Sequence, residues 1–316
     1  MNSTMSISNV IIDNVIIDNI IIDDLLIDII DLVHINDLQE LSNCNVLLND
    51  IIHEPKFIQK SVPNNIDRLV NDGNFNEALS YAAREGHLEI CKYLVSLGAN
   101  NFDDALGYAS WCSHLNICKY LVSLGATDFN EALHNAAYNY NLNICKYLIS
   151  LGATDFDRAL VDASWSGNLE ICKYLVSLGA TDFNNALRNA SWSGHLEICK
   201  YLVSLGATNF NKALLNAAAM GNLNICKYMI SLGATDLNNA FEYAARGGHL
   251  EICKYIIEQG ATNLNNAFCI AATRGHLEIC KYLVSVGATD FNKALVSAAE
   301  RGNLKICKYL VSLGAN

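Results

Sequence analysis

The sequence has few basic residues and only two prolines among its 316 residues. Its 21 Lys and Arg are outnumbered by 32 Asp and Glu, which gives a formal net charge of -11. Because nucleic-acid binding depends on clustered basic side chains that displace counterions, this balance argues against a nucleic-acid partner and equally against an acidic membrane surface. The 52% of apolar residues nevertheless predict a chain that buries a core over most of its length.

Long uninterrupted apolar runs are also missing. The most apolar stretch, residues 11–32, carries acidic side chains every few positions, which the hydrocarbon core of a bilayer would not tolerate. The first residues lack the basic segment of a secretory signal. We therefore expect no membrane span and a location inside the cell, where the twelve cysteines stay reduced instead of forming a disulfide framework.

What the sequence does contain is a strict internal repeat. The cysteine of a Cys-Lys-Tyr triplet occurs nine times between Cys91 and Cys307, always 27 residues after the previous one. A constant period without insertions predicts a solenoid, in which each unit packs only on its neighbours. We number the repeats as units 1 to 9, and they span 73–99, 100–126, 127–153, 154–180, 181–207, 208–234, 235–261, 262–288 and 289–315.

Each unit has the pattern of two short helices. In unit 3, Phe129 and Leu133 share one face of a first helix that starts near Thr127 or Asp128, either of which suits an N-cap. A second apolar stripe begins at Leu142 and ends before a glycine that occupies the same place in all nine units, as expected of a left-handed helix C-cap. The predicted fold is therefore an all-α array of helix pairs.

Two segments resemble ankyrin repeats. The sequence GHLEICKYLVSLGA, at 86–99 and 194–207, is similar to the second helix and turn of an ankyrin unit, and EALHNAA, at 131–137, is similar to its Thr-Pro-Leu-His segment. The resemblance implies a helix-pair solenoid that binds proteins. Because the Thr-Pro pair is absent and the period is 27 residues where the family has about 33, we expect no long β-hairpins. A different helix-pair solenoid is the alternative.

The composition adds a narrower resemblance. An Asn- and Ile-rich, proline-poor sequence with near-identical repeats resembles the large ankyrin families of giant amoeba viruses of the mimivirus type. This resemblance implies a viral protein that acts on host proteins in the host cytoplasm.

The residues before the repeats follow another pattern. Residues 21–60 resemble an F-box, the helical module that binds the small adaptor subunit of cullin-RING ubiquitin ligases. Two departures are Ile22 in place of the usual early proline and Phe57 in place of the bulkier aromatic residue expected after the late proline. The resemblance implies an adaptor-binding surface made of Leu25, Leu26, Ile29, Ile30, Leu38, Leu41, Ile51 and Pro55. The alternative is that these helices only cap the repeat array.

Two short segments complete the predicted organisation. Residues 1–20 are a low-complexity segment that repeats an Ile-Ile-Asp pattern every five residues, which matches neither helix nor strand periodicity, and we assign it no function. Residues 61–72, which include Pro63, are predicted to link the first segment to the array as half of a repeat.

Comparison of the nine units also tests whether the repeated His and Cys form a zinc site. His87 and Cys91 lie one helical turn apart, as zinc ligands can, and four other units contain the same pair. The remaining four units have Asn in place of His, and a polar residue that caps the second helix accounts for both residue types. Because HExxH, GxSxG and glycine-rich phosphate loops are absent as well, we predict a protein that is not an enzyme and uses no cofactor or metal.

Differences between units mark the predicted recognition surface. Variation concentrates at positions 5, 8, 9, 12 and 13 of the unit, and positions 5, 8 and 12 share one stripe of the first helix, which we expect to face outward. Aromatic and arginine side chains dominate binding hot spots. We predict that a protein target binds the concave first-helix face through Trp111, Tyr138, Trp165, Trp192, Glu131, His134, Arg158 and Arg188. The alternative is that the tryptophans pack on one another as filler between units.

Overall fold

The computed structural model describes residues 64–316, and the predictions made for residues 1–63 lie outside that range. Nineteen α-helices and no strand occur in the described range, where a short helix α1 (Asn64–Asn71) is followed by nine helix pairs. The first helices of units 1 to 9 are α2 (Phe75–Glu85), α4 (Phe102–Trp111), α6 (Phe129–Tyr138), α8 (Phe156–Ser166), α10 (Phe183–Ser193), α12 (Phe210–Met220), α14 (Leu237–Gly247), α16 (Leu264–Arg274) and α18 (Phe291–Glu300). The second helices are α3 (Leu88–Ser96), α5 (Leu115–Ser123), α7 (Leu142–Ser150), α9 (Leu169–Ser177), α11 (Leu196–Ser204), α13 (Leu223–Ser231), α15 (Leu250–Glu258), α17 (Leu277–Ser285) and α19 (Leu304–Ser312). The predicted all-α solenoid of helix pairs is confirmed.

The helices begin and end at residues whose chemistry favours those ends. Asp128 precedes α6, and its carboxylate accepts a hydrogen bond from the backbone N–H of Glu131 at 3.1 Å. Asp155 and Asp182 cap α8 and α10 in the same way. After the second helix α7 the chain turns at Gly152, whose φ of +108° lies in the left-handed region that a Cβ disfavours.

The core lies between the helices of each unit and those of the next. In unit 3, Leu133, Ala136 and Ala137 of α6 and Cys145 and Leu148 of α7 are completely buried. The small alanines let consecutive first helices pack closely, whereas consecutive second helices touch at only a few points. Because burying one leucine stabilises a fold by roughly 1.5–3 kcal/mol, the repeated apolar stripe holds the stack together. None of the helices in residues 64–316 combines the length and the apolar character needed to cross a bilayer.

One side chain per unit is hydrogen-bonded to the backbone that follows the unit. The fourth residue of each unit is Asn or Asp, and its Oδ1 accepts hydrogen bonds from backbone N–H groups that directly follow the unit. Asn130, for example, accepts from Thr154 at 2.8 Å and from Asp155 at 3.1 Å. Nine such residues form what we call the acceptor ladder: Asn76, Asp103, Asn130, Asp157, Asn184, Asn211, Asn238, Asn265 and Asn292.

The polar residue before the second helix does not cap that helix in most units, so the capping expectation was wrong. Nε2 of His249 lies 3.1 Å from the carbonyl oxygen of Ala219, and Nδ2 of Asn222 donates to the carbonyl of Trp192 at 2.9 Å. Both carbonyls end the first helix of the preceding unit, where helix carbonyls lack intrahelical partners. Asn168 instead caps its own helix by accepting a backbone N–H at 3.0 Å. His and Asn therefore share the task of joining neighbouring units through an N–H donor.

Candidate protein-binding surface

The Cys-Lys-Tyr triplet supports the stack. Burial raises the pKa of the Cys145 thiol to about 12, so the nucleophilic thiolate is scarce at neutral pH. The ammonium of Lys146 lies 5.5 Å from the ring centroid of Tyr174 in the next unit, a cation–π contact. Within residues 64–316, no group of three or more His, Cys, Asp or Glu side chains is placed to hold a metal ion.

Trp111, Tyr138, Trp165 and Trp192, which we call the aromatic row, form two stacked pairs across unit boundaries. The rings of Trp111 and Tyr138 lie 4.7 Å apart with an interplanar angle of 18°, and those of Trp165 and Trp192 lie 6.3 Å apart with an angle of 20°. Trp111 keeps 40% of its surface exposed, and the other three are half-buried. The row therefore combines contact between units with an open aromatic surface.

Neighbouring units hold the backbone of the aromatic row. The carbonyl of Trp165 lies 3.1 Å from Nε2 of His195, and the carbonyl of Trp111 accepts a hydrogen bond from the side-chain amide of Asn139. Because the rings are also stacked in pairs, the aromatic side chains have little freedom left to lose when a partner binds, and this lowers the entropic cost of association.

Charged side chains flank the row. Nη1 of Arg158 lies 3.1 Å from Oε2 of Glu131 in the preceding unit, and both side chains are about half exposed, at 57% and 49%. An exposed pair of this kind contributes at most about 1 kcal/mol, so either residue can exchange its partner for a group on another protein. Arg188 is also exposed, on α10.

His134 does not lie on the open surface, which corrects the prediction made for position 8. Its side chain is only 3% exposed, and its Nδ1 lies 2.7 Å from Oδ2 of Asp162 in unit 4. Close packing of α6 and α8 turns this side chain toward the next unit, whereas Arg188, at the same position of α10, stays exposed. His134 therefore joins two units and is not available to contact a target.

The structure also contains a pocket that sequence reasoning missed. It lies beside Trp111 across units 1 to 3 and has a volume of about 550 Å³. The signals for it in the sequence are the variation at position 9, which is Tyr108 in unit 2, and the glycine at position 8, Gly107, where every other unit has a side chain. We call it the acidic pocket, and it is lined by Arg84, Asp103, Asp104, Gly107, Tyr108, Trp111, Asp128, Glu131 and Asn135.

Two residues beside the row have backbones that usually require glycine. Ser113 has a φ of +72° and Tyr140 a φ of +66°, at the position where the other units have glycine. A left-handed backbone costs a non-glycine residue about 1–2 kcal/mol. Tyr140 is 56% exposed, and its hydroxyl donates to the carbonyl of Ser166. The missing glycine was visible in the sequence, but the resulting extension of the aromatic surface was not.

The residues predicted to bind a ligase adaptor lie outside the part of the chain that the structure describes. Their role stays a prediction, and they are Leu25, Leu26, Ile29, Ile30, Leu38, Leu41, Ile51 and Pro55.

Comparison with known families gives a match over most of the chain. A family model described as ankyrin repeats (3 copies) matches residues 46–131, 125–186, 187–266 and 241–316. The matched ranges include all nine units and begin within the F-box-like segment. No curated protein matches this sequence.

Proposed function

The chain belongs to the ankyrin-repeat family, and from this membership we propose that it is a non-enzymatic protein-interaction module whose first-helix face holds a protein target. Ankyrin repeats bind proteins in general, and the variable residues of this array concentrate on the same surface. The proposed contact area runs from unit 2 to unit 5 and includes the aromatic row with Glu131, Arg158 and Arg188.

The observation that carries this proposal is the aromatic row. Its four side chains are stacked in pairs and remain partly exposed, and units 6 to 9 have no aromatic residue at the same position. A partly exposed tryptophan surface is unusual unless a partner covers it. Truncating such an anchor typically costs 2 kcal/mol or more of binding free energy.

Affinity capture with the double variant Trp165→Ala, Trp192→Ala tests the proposal. We expect the amount of target captured from host-cell lysate to fall about tenfold or more. The unfolding free energy should fall by only a few kcal/mol at most, because the pair stacks at the surface and its ring contact contributes about 0.5–1.5 kcal/mol.

The matched control is Tyr255→Ala, which removes a half-buried aromatic side chain from the second helix α15. This variant should capture the target as well as the wild-type chain does. Equal capture by the double variant and the control would reject the proposed surface. Unfolding of the array in the double variant would assign the tryptophans to the core.

We further propose that residues 21–60 connect the bound target to a cullin-RING ubiquitin ligase. The support is the F-box-like spacing of apolar residues from Leu25 to Pro55. The family match begins at residue 46, so residues 21–45 are the part of this segment that it leaves unassigned. The alternative is an ankyrin scaffold or inhibitor in which these residues only cap the solenoid.

Pull-down of the purified adaptor subunit separates these two functions. We expect the full chain to retain the adaptor and the double variant Leu26→Asp, Ile30→Asp to lose it, because charge on the apolar face prevents docking. The double variant Leu26→Ile, Ile30→Leu keeps the apolar face and should retain binding. Absence of binding by the wild-type chain would leave the scaffold or inhibitor function.

We also propose, from the composition, that the chain is a viral protein that acts on host proteins in the host cytoplasm. A tagged chain produced in amoebal cells should then spread through the cytoplasm and co-purify with a host protein. A membrane or nuclear distribution would contradict this part of the proposal.

A further inference from the structure

One residue of α4 that lines the acidic pocket has no side chain. Gly107 is the eighth residue of unit 2, and every other unit has a side chain at that position. A Cβ on Gly107 would come within 3.2 Å of the amide nitrogen of Asn135 in the next unit. Glycine inside a helix costs about 0.5–1 kcal/mol relative to alanine, and here it lets the side chain of Asn135 approach α4 closely beside the pocket. Its volume of about 550 Å³ lies within the range of ligand sites.

Aromatic rings and carboxylates surround this recess. Tyr108 is 48% exposed and Trp111 is 40% exposed, so both rings can still be contacted by a ligand. Asp103 and Asp104 lie on the same helix, and Asp128 and Glu131 come from the start of α6. Aromatic faces and carboxylates both attract cations and repel anions.

The basic side chains near the pocket are already paired. The guanidinium of Arg84 lies 2.9 Å from Glu85 and 4.7 Å from the ring centroid of Tyr81. Arg158 is paired with Glu131. Asp104 is exposed and forms no ion pair within residues 64–316. Four carboxylates and one guanidinium line the pocket, which therefore keeps an excess of negative charge.

The same charge extends over the surrounding surface. The first thirteen residues of units 1 to 4, which contain the first helices, carry nine acidic and two basic side chains. The same positions in units 5 to 9 carry five acidic and six basic side chains. An acidic field over one end of the array attracts positively charged segments and raises their association rate.

From this geometry we propose that the acidic pocket binds a lysine or arginine side chain in an extended, basic segment of the protein target. The cationic head contacts Asp104 and the open faces of Tyr108 and Trp111, and the adjoining residues of the segment continue along the aromatic row. This inference rests on the proposed function. It adds that the target segment is basic and that one of its side chains is anchored in the acidic pocket.

Fluorescence anisotropy with three labelled nine-residue peptides tests this site on the full chain. Each peptide consists of Gly and Ser with two central residues, which are Arg-Arg, Gln-Gln or Glu-Glu. We expect the Arg-Arg peptide to bind about tenfold more tightly than the Gln-Gln peptide, to lose affinity as salt is added, and the Glu-Glu peptide not to bind.

Substitutions then test whether the Arg-Arg peptide binds at the acidic pocket. Asp104→Asn should weaken binding of the Arg-Arg peptide about twofold to fivefold, and Trp111→Ala about fivefold or more. Glu300→Gln removes one exposed carboxylate from α18 in unit 9, and it should leave the affinity unchanged.

Any of three results would contradict the proposed binding of a basic segment. They are equal affinities of the Arg-Arg and Gln-Gln peptides, equal effects of Asp104→Asn and Glu300→Gln, and displacement of the Arg-Arg peptide by free argininamide at the same concentration as the peptide. The last result would assign the pocket to a small cation instead of a protein segment. Capture of a target that still depends on Trp165 and Trp192 would keep the proposed function intact even if this site failed.

Discussion

Nδ1 of His134 lies 2.7 Å from Oδ2 of Asp162, and this contact joins the first helices of units 3 and 4. Burial lowers the pKa of His134, and the charge of Arg158 lowers it further, so the ring is neutral at physiological pH and donates from Nδ1 to the carboxylate. Its buried Nε2 lies 3.6 Å from Oδ2 of Asp155 without a hydrogen bond. Burial raises the pKa of Asp162 to about 6 from an ordinary value of 3.8.

Asp162→Asn should therefore change how stability depends on pH. A raised carboxylate pKa adds stability at low pH, and this contribution is lost as the pH rises through the folded-state pKa of about 6. Between about pH 5 and pH 7.5, the unfolding free energy of the variant should rise relative to wild type by on the order of 1 kcal/mol. Urea unfolding at both pH values measures the difference. Glu300→Gln should show no such trend, and a flat difference for Asp162→Asn would refute the titration of this pair.

The acceptor ladder predicts a selective response at Asn211. Its Oδ1 accepts from the backbone N–H groups of Thr235 at 2.8 Å and Asp236 at 3.1 Å. Asn211→Ala should lower the unfolding free energy by about 1–2 kcal/mol, because two backbone donors lose their partner. Asn211→Asp should recover most of this loss, since Asp103 and Asp157 perform the same task in units 2 and 4. Equal destabilisation by both substitutions would show that the side-chain acceptor oxygen at position 211 does not stabilise the array.

Thiol labelling tests whether the repeated cysteine is a core residue. Of the eleven cysteines in residues 64–316, nine are buried, and only Cys112 and Cys307 are half-buried. In a Cys44→Ser background, we expect about two thiols to react quickly with an aromatic disulfide reagent at neutral pH and the rest to react only in urea. Fast reaction of four or more thiols in the native chain would contradict the burial of the repeated position.

The period and the unit pattern allowed much of this fold to be predicted. The spacing of Phe129, Leu133 and Leu142 placed both helices of unit 3 because side chains three or four residues apart share a helix face. Asp128 was one of two expected N-caps. The reach of His249 to a carbonyl 30 residues earlier was not predictable, since it depends on how adjacent units stack.

The candidate surface was predicted less completely. The stripe of positions 5, 8 and 12 follows from helix geometry alone, but the burial of His134 follows from the close approach of α6 and α8. Likewise, Gly107 looks unremarkable within its unit, and its effect becomes visible only when the neighbouring helix with Asn135 is in place. Helix periodicity determines which residues lie together on one helix face. Contacts between units determine whether that face remains exposed to solvent.

Site-specific photo-cross-linking measures the proposed target contact most directly. A benzoylphenylalanine residue replaces Trp165 in one chain and Tyr228, on the second helix α13, in another, and both chains are irradiated in cell lysate. We predict a discrete cross-linked protein from position 165 and little or none from position 228. Cross-linking from position 228 alone would contradict a target bound to the first-helix face.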